Sequence, residues 1–245
     1  MHEQPASAEV ASLLKITDLQ AGYAGSEVLH SLSMQVGDGE TVVVLGPNGH
    51  GKTTLLRAIS GLIRPTGGRV EFDGQTISNK RASDIVAAGV IHIPQGDLPF
   101  PELTVMDNLR LGAFRSDAWR MRKQKLEQVF ELFPALKERP NQLARSLSGG
   151  ERRMLALGRG LMSKAKLLMI DEPSLGLAPF MVENVYETIR SIRGMGLSIL
   201  LADENADHIA GLADRVYLLE AGTLIKEGGA DEMLRDEALL AAYLG

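Results

Sequence analysis

Thr41-Val-Val-Val-Leu-Gly-Pro-Asn-Gly-His-Gly-Lys-Thr-Thr54 joins a run of β-branched and aliphatic residues to a glycine-rich turn. Thr41 to Leu45 has no charged interruption and reads as a strand buried on both faces of a sheet. Gly46 to Thr53 then matches G-x-x-x-x-G-K-[ST], and Leu55 to Leu62 carries helical spacing. Strand, loop and helix in this order make a phosphate cradle. Gly46, Gly49 and Gly51 let successive backbone N–H groups turn inward, with Pro47, Asn48, His50 and Thr54 completing the loop, and the helix adds the positive end of its dipole. Lys52 is placed to reach the β and γ phosphates, and the Thr53 hydroxyl to coordinate Mg²⁺.

Further short apolar runs, Val90 to Ile93, Leu167 to Ile170, Ser198 to Ala202 and Val216 to Leu219, alternate with helical stretches such as Met181 to Ile192. Such alternation predicts an α/β fold with a mostly parallel sheet covered on both faces. Leu13 to Leu19 and Leu32 to Val36 have strand-like alternation ahead of it. Between Gln95 and Ser148 the spacing turns helical and β-branched residues become few, which predicts an inserted α-helical subdomain. Two strands end on acidic pairs, Asp171-Glu172 and Asp203-Glu204. Asp171, at the end of the first, is suited to hold the hydration shell of Mg²⁺, and Glu172 beside it to act as the general base toward water.

Composition sets outer bounds. Of 245 residues 44% are hydrophobic, 23% charged and 4% aromatic, an ordinary globular balance. The net charge of -5 and pI near 5.6 argue against broad nucleic-acid binding. With no cysteine, disulfides, thiolate metal sites and cysteine nucleophiles are excluded. No apolar run approaches the ~18 residues of a membrane helix, so an association with the membrane is expected to be peripheral. The polar start, residues 1–12, reads as a loose tail.

A third motif narrows the class. Leu147-Ser-Gly-Gly-Glu151 precedes a helical stretch; Ser148 suits an N-cap, and Gly149 and Gly150 permit close backbone approach to a phosphate. From Leu13 onward the chain resembles the ATP-binding subunits of ABC transporters: "LSGGE" looks like the family signature, Gln95 in "HIPQ" like its Q-loop, and Ser174 to Pro179, "SLGLAP", like its D-loop. The resemblance implies a P-loop ABC ATPase core with an N-terminal antiparallel β subdomain. The implied division is a nucleotide-binding core over 13–95 and 155–245 and a helical signature subdomain over 96–154. It further implies ATP and Mg²⁺ as cofactors, with Thr53, Gln95 and Asp171 about the metal, Tyr23 stacked on adenine, and Lys52, Gln95 and Glu172 in catalysis. Ser148, Gly149, Gly150 and Glu151 of a second ABC ATPase subunit, identical or not, would close over the nucleotide.

Four segments, "LFPALKERPNQLARSLSGGE", "GRGLMSKAKLLMIDEPSLGLAP", "LADRVYLLEAG" and "AAYLG", are similar to the shorter ATP-binding subunit of branched-chain amino acid importers and their amide or urea relatives. Implied partners are integral membrane permeases and, indirectly, a solute-binding protein, with the chain on the cytoplasmic face of the inner membrane. "GDLPFPELTVMDNL", Gly96 to Leu109, resembles the region that grips the membrane partner; Leu98 and Phe100 belong either to such a groove or to the interior of the helical subdomain. A soluble ABC ATPase of a regulatory or repair complex is the alternative, though such proteins usually carry a coiled-coil insertion or a second core. A GTPase is disfavoured because "SNKRA" lacks the aspartate of a guanine-reading motif.

Three departures from the family pattern stand out. His50 occupies a small-residue position in the loop, its side chain either projecting from it or meeting a facing subunit. Arg152-Arg153 replaces a polar pair and reads as a solvated helix face, or else as a contact with the partner's phosphates or the membrane subunit. The family's switch histidine falls ten positions before Asp214, where this chain has Glu204. An ionised carboxylate cannot donate to the γ-phosphate, and at ~4 Å, with an effective dielectric near 20, the two charges repel by about 4 kcal/mol. Glu204 is therefore expected to turn away, to be protonated, or to be screened by a cation, the first being favoured. His208, a turn beyond, is either a displaced switch or a solvated side chain.

Overall fold

A computed structural model describes residues 12–96, 99–233 and 235; the expected tail, Leu98 and the "AAYLG" ending lie outside these. The chain opens on a long hairpin of β1 (Ser12–Tyr23) and β2 (Ser26–Gly37), then enters β3 (Thr41–Leu45), whose five residues are all buried. Helix α1 (Lys52–Ile59) follows the glycine loop, and β4 (Gly67–Phe72), β5 (Gln75–Thr76), α2 (Ala82–Ala88) and β6 (Val90–Ile93) come next. A helical stretch follows with α3 (Val105–Gly112), α4 (Ser116–Leu132), α5 (Pro134–Lys137) and α6 (Gly149–Leu161). The chain returns through β7 (Leu167–Asp171), α7 (Pro179–Arg193), β8 (Ser198–Asp203), β9 (Arg215–Glu220), β10 (Thr223–Gly229) and α8 (Ala230–Met233).

The strands form an antiparallel sheet in the order β2-β1-β4-β5 and a second sheet in the order β10-β9-β3-β8-β7-β6. In the second, only the β9–β10 pair is antiparallel. Because successive side chains of a strand point to opposite faces, β3 feeds two cores. Val42 and Val44 join Leu14, Leu55 and Phe72 against α1 and the antiparallel sheet, and Val43 and Leu45 join Leu109, Leu155 and Ile189 of the helices. Full burial of β3, β7 and β8 explains their unbroken apolar runs.

Local rules fix the helix starts. Ser148 caps α6 by accepting from Glu151 N, and Glu151 reaches back to Ser148 N, a complete capping box. Pro179 occupies the first turn of α7, where its missing N–H is no loss. Asn108, fully buried, holds the segment before α3 by donating to the carbonyls of Phe100 and Thr104 at 3.1 and 3.0 Å.

Candidate active site

Parallel register brings the ends of three strands abreast. Leu45 of β3 stands opposite Asp203 of β8, and Ala202 of β8 opposite Asp171 of β7. Gly46 N donates to Asp203 O at 3.2 Å and Glu172 N to Ala202 O at 2.9 Å, so the glycine loop and both acidic pairs share one edge of the sheet. Ligands of such α/β sheets bind outside the carboxyl ends of the strands.

Gly46 cannot carry a side chain, because a Cβ there would stand 2.2 Å from Leu219 O. Gly51 opens α1 with φ 110°, a region costly for other residues. Lys52 is 2% exposed, and its three ammonium hydrogens are all engaged, by Gly46 O at 2.7 Å, Pro47 O at 3.1 Å and Glu172 Oε1 at 3.1 Å. Gln95 Nε2 donates to the other Glu172 oxygen at 2.7 Å. Glu172 is thus held from two sides, with φ 42°, a left-handed conformation rarely adopted by glutamate.

Thr53 Oγ1 donates to Asp171 Oδ1 at 3.2 Å, while Asp171 Oδ2 is buried without a hydrogen-bond partner. Burial pushes the Asp171 carboxyl above its usual range. A hydroxyl, an unmatched carboxylate oxygen and the amide oxygen of Gln95 are donors that suit a hard divalent cation. Thr54 is buried on α1, and Tyr23, 41% exposed at the end of β1, accepts from Arg57 Nη1 at 3.2 Å.

The residues singled out as departures lie as follows. His50 does not project freely: its Nδ1 accepts from Ala221 N at 3.2 Å and its carbonyl from Gly222 N at 3.0 Å, which fastens the loop to the β9–β10 turn. Glu204 is exposed and held by the loop, the Asn48 amide donating to its carboxylate, a neutral donor where a cation was one of the alternatives. His208 is not fully solvated: it stacks on Tyr186 with ring centroids 4.6 Å apart, and its Nδ1 lies 3.4 Å from Glu183 Oε2. Arg153 corrects the expectation of a solvated helix face. It is 2% exposed and turned inward.

Ser148 to Glu151 are not brought to the glycine loop of their own chain. Gly149 and Gly150 face Leu177 and Met181 instead, and Arg139 pairs with Glu151. Sequence reasoning gave no role to the buried pair Asp203 and Tyr186: Asp203 accepts from the Tyr186 hydroxyl and from Glu204 N at 2.8 Å, and Ser174 Oγ lies 3.3 Å from the same hydroxyl. The apolar run ahead of Asp203 was a usable signal, since a carboxylate ending a fully buried strand requires internal donors.

Comparison with known proteins agrees with this geometry. The ABC transporter family model matches residues 29–175. The chain belongs to the ABC transporter family. Among its relatives is the high-affinity branched-chain amino acid transport ATP-binding protein BraG of Pseudomonas aeruginosa, 39% identical, with 95% of this chain and 100% of that protein covered. LivF of Archaeoglobus fulgidus, a probable branched-chain amino acid transport ATP-binding protein, is 34% identical over 95% of this chain and 99% of its own length. The lipopolysaccharide export ATP-binding protein LptB of Haemophilus influenzae is 33% identical, covering 96% and 98%. An ATP-binding cassette of an ABC transporter, solved in its ADP conformation, superposes with a TM-score of 0.81 at 25% identity, covering 96% and 99%. As an ABC ATPase the chain binds ATP and hydrolyses it.

Proposed function

We propose that this ABC ATPase powers an importer of branched-chain amino acids or a related small solute, as a peripheral subunit on the cytoplasmic face of the membrane. The observation that carries the reading is the end-to-end match to BraG, at 39% identity over its whole length. No helix among the described residues is long and apolar enough to cross a membrane. The permease would be a separate integral partner, served in turn by a solute-binding protein. A second copy, or a related subunit, would supply Ser148 to Glu151 across a dimer interface, a reading supported by their packing against Leu177, Met181 and Arg139 of their own chain.

The contacts of Lys52 and Glu172 suggest how turnover proceeds. Glu172 pairs with Lys52 at 3.1 Å. A nucleotide seated on the N–H groups of Gly46 to Thr54 would bring its γ-phosphate to Lys52 and release the Glu172 carboxylate, which Gln95 still holds. Glu172 then accepts a proton from water as the water oxygen bonds to the γ-phosphorus and ADP leaves, a base contribution of about 10² to 10⁴ in rate. Thr53, Asp171 and Gln95 would hold Mg²⁺, which when bound neutralises charge on the phosphates. Tyr23 would stack on adenine. Glu204, tied to Asn48, modulates access to the γ-phosphate position.

Phe100, 51% exposed, stands with Ile91, Ile93, Leu111, Phe114 and Arg159 around an apolar groove of about 550 Å³, where a helix of the permease would dock. The test is a membrane pull-down with Glu172→Gln protein and ATP: co-purified integral subunits are expected, and exclusively soluble partners would overturn the importer reading.

A further inference from the structure

We propose that Arg153 is a positioning residue for hydrolysis: it clamps together the two backbone segments that hold Glu172. Arg153 lies in the second turn of α6, just beyond the signature, and its guanidinium is among the largest fully buried side chains. Nη1 donates to Gly96 O at 3.1 Å and Nη2 to Leu175 O at 3.4 Å. Gly96 follows Gln95, whose amide donates to Glu172 Oε2 at 2.7 Å. Leu175 N donates to Glu172 O at 3.3 Å, closing the turn that Glu172 begins. One side chain therefore spans the segment that grips the Glu172 carboxylate and the segment that leaves its backbone.

Three physical points favour a geometric role. The left-handed backbone of Glu172, φ 42°, persists only where surrounding contacts over-determine it. A planar guanidinium can serve two carbonyls at once, whereas an ammonium is a point donor. Burying a guanidinium is unfavourable unless its N–H groups find acceptors, and Nη1 and Nη2 find theirs on the two segments that hold Glu172. Because α6 begins with the signature, whatever meets Ser148 to Glu151 also acts on the helix that carries this clamp.

The inference rests on Glu172 as the base, and the experiment separates the two. Arg153→Met keeps the length of the side chain and removes the fork. In the full-length protein kcat is expected to fall about tenfold or more, with KM and directly measured ATP binding within about twofold, while the thermal midpoint is lowered because two carbonyls lose their donors. In the Glu172→Gln protein, followed by single-turnover hydrolysis of radiolabelled ATP, the same substitution is expected to add less than about twofold, because its route of action is already gone. Arg153→Lys, which keeps charge and stem, should lose about threefold in kcat. A kcat within about twofold of the parent, equal factors in both backgrounds, or joint loss of kcat and ATP binding overturns the proposal. Should the methionine variant fail to fold, the lysine variant decides by the same comparison of backgrounds. If Glu172→Gln alone leaves kcat within about twofold, it is the assignment of Glu172 that fails.

Discussion

Glu172 and Glu204 end neighbouring strands, yet their surroundings differ in kind. Glu172 is buried between Lys52 and Gln95, and Glu204 is exposed and held by one amide. Glu172→Gln should therefore lower steady-state turnover by about 10² or more while retaining ATP, and Glu204→Gln should change it by less than about threefold. Comparable losses in both would reverse the assignment. His92 provides a pH-dependent test at the same scale. Burial, reinforced by the nearby Arg57 charge, lowers its pKa from the usual 6.5 to about 4, and Ser60 Oγ lies 3.2 Å from Nδ1. The unfolded chain then binds the extra proton between these values. Stability rises with pH through this window, is complete above about 6.5, and is lost as pH falls toward 4. The full effect is roughly 3 kcal/mol. Urea unfolding at pH 5 and pH 7 should show a steeper loss at the lower pH than in His92→Gln.

Among the elements, the β9–β10 turn has the widest reach. Gly222, with φ 79°, accepts from His30 N of β2 at 2.9 Å and donates to His50 O of the glycine loop at 3.0 Å, joining both sheets to the phosphate cradle. A Cβ on Gly222 would stand 1.8 Å from Val28 O. Gly222→Ala is expected to destabilise by about 2 to 4 kcal/mol, from the backbone conformation and the clash together, and to weaken ATP binding beyond the loss of folded protein. Thermal unfolding alongside nucleotide titration checks both. At the other end of the site, Ser148→Ala should cost about 1 kcal/mol by opening the capping box of α6.

For the whole molecule, the apolar groove and the signature lie on faces where the chain leaves large side chains open, Phe100 and Phe114 at the groove and Leu175 and Phe180 near the signature. Phe100→Ser should abolish solute uptake in the assembled transporter while leaving ATP turnover of the isolated subunit within about twofold, since its ring lies outside the phosphate site. Loss of folding in that variant would instead place Phe100 with the core. Sizing chromatography of Glu172→Gln protein should show ATP-dependent dimers if the signature of one subunit closes the site of another.

The sequence alone determined the fold class, because buried parallel strands and the glycine loop follow local rules: unbroken apolar runs from Thr41, Leu167 and Ser198, a G-x-x-x-x-G-K-[ST] turn, and Ser148 as the N-cap of a helical stretch. The local order of residues also marked Lys52, Thr53, Asp171 and Glu172. What only the tertiary structure decided was the direction of side chains whose partners lie far along the chain. Arg153 meets carbonyls 57 and 22 residues away, Asn48 meets Glu204 at a separation of 156, and His50 meets Ala221 at 171. A charged residue on a helix carries no local signal of burial. Its direction is set by partners that only packing brings near, and for Arg153 these include Gly96 O beside Gln95 and Leu175 O in the turn that Glu172 begins.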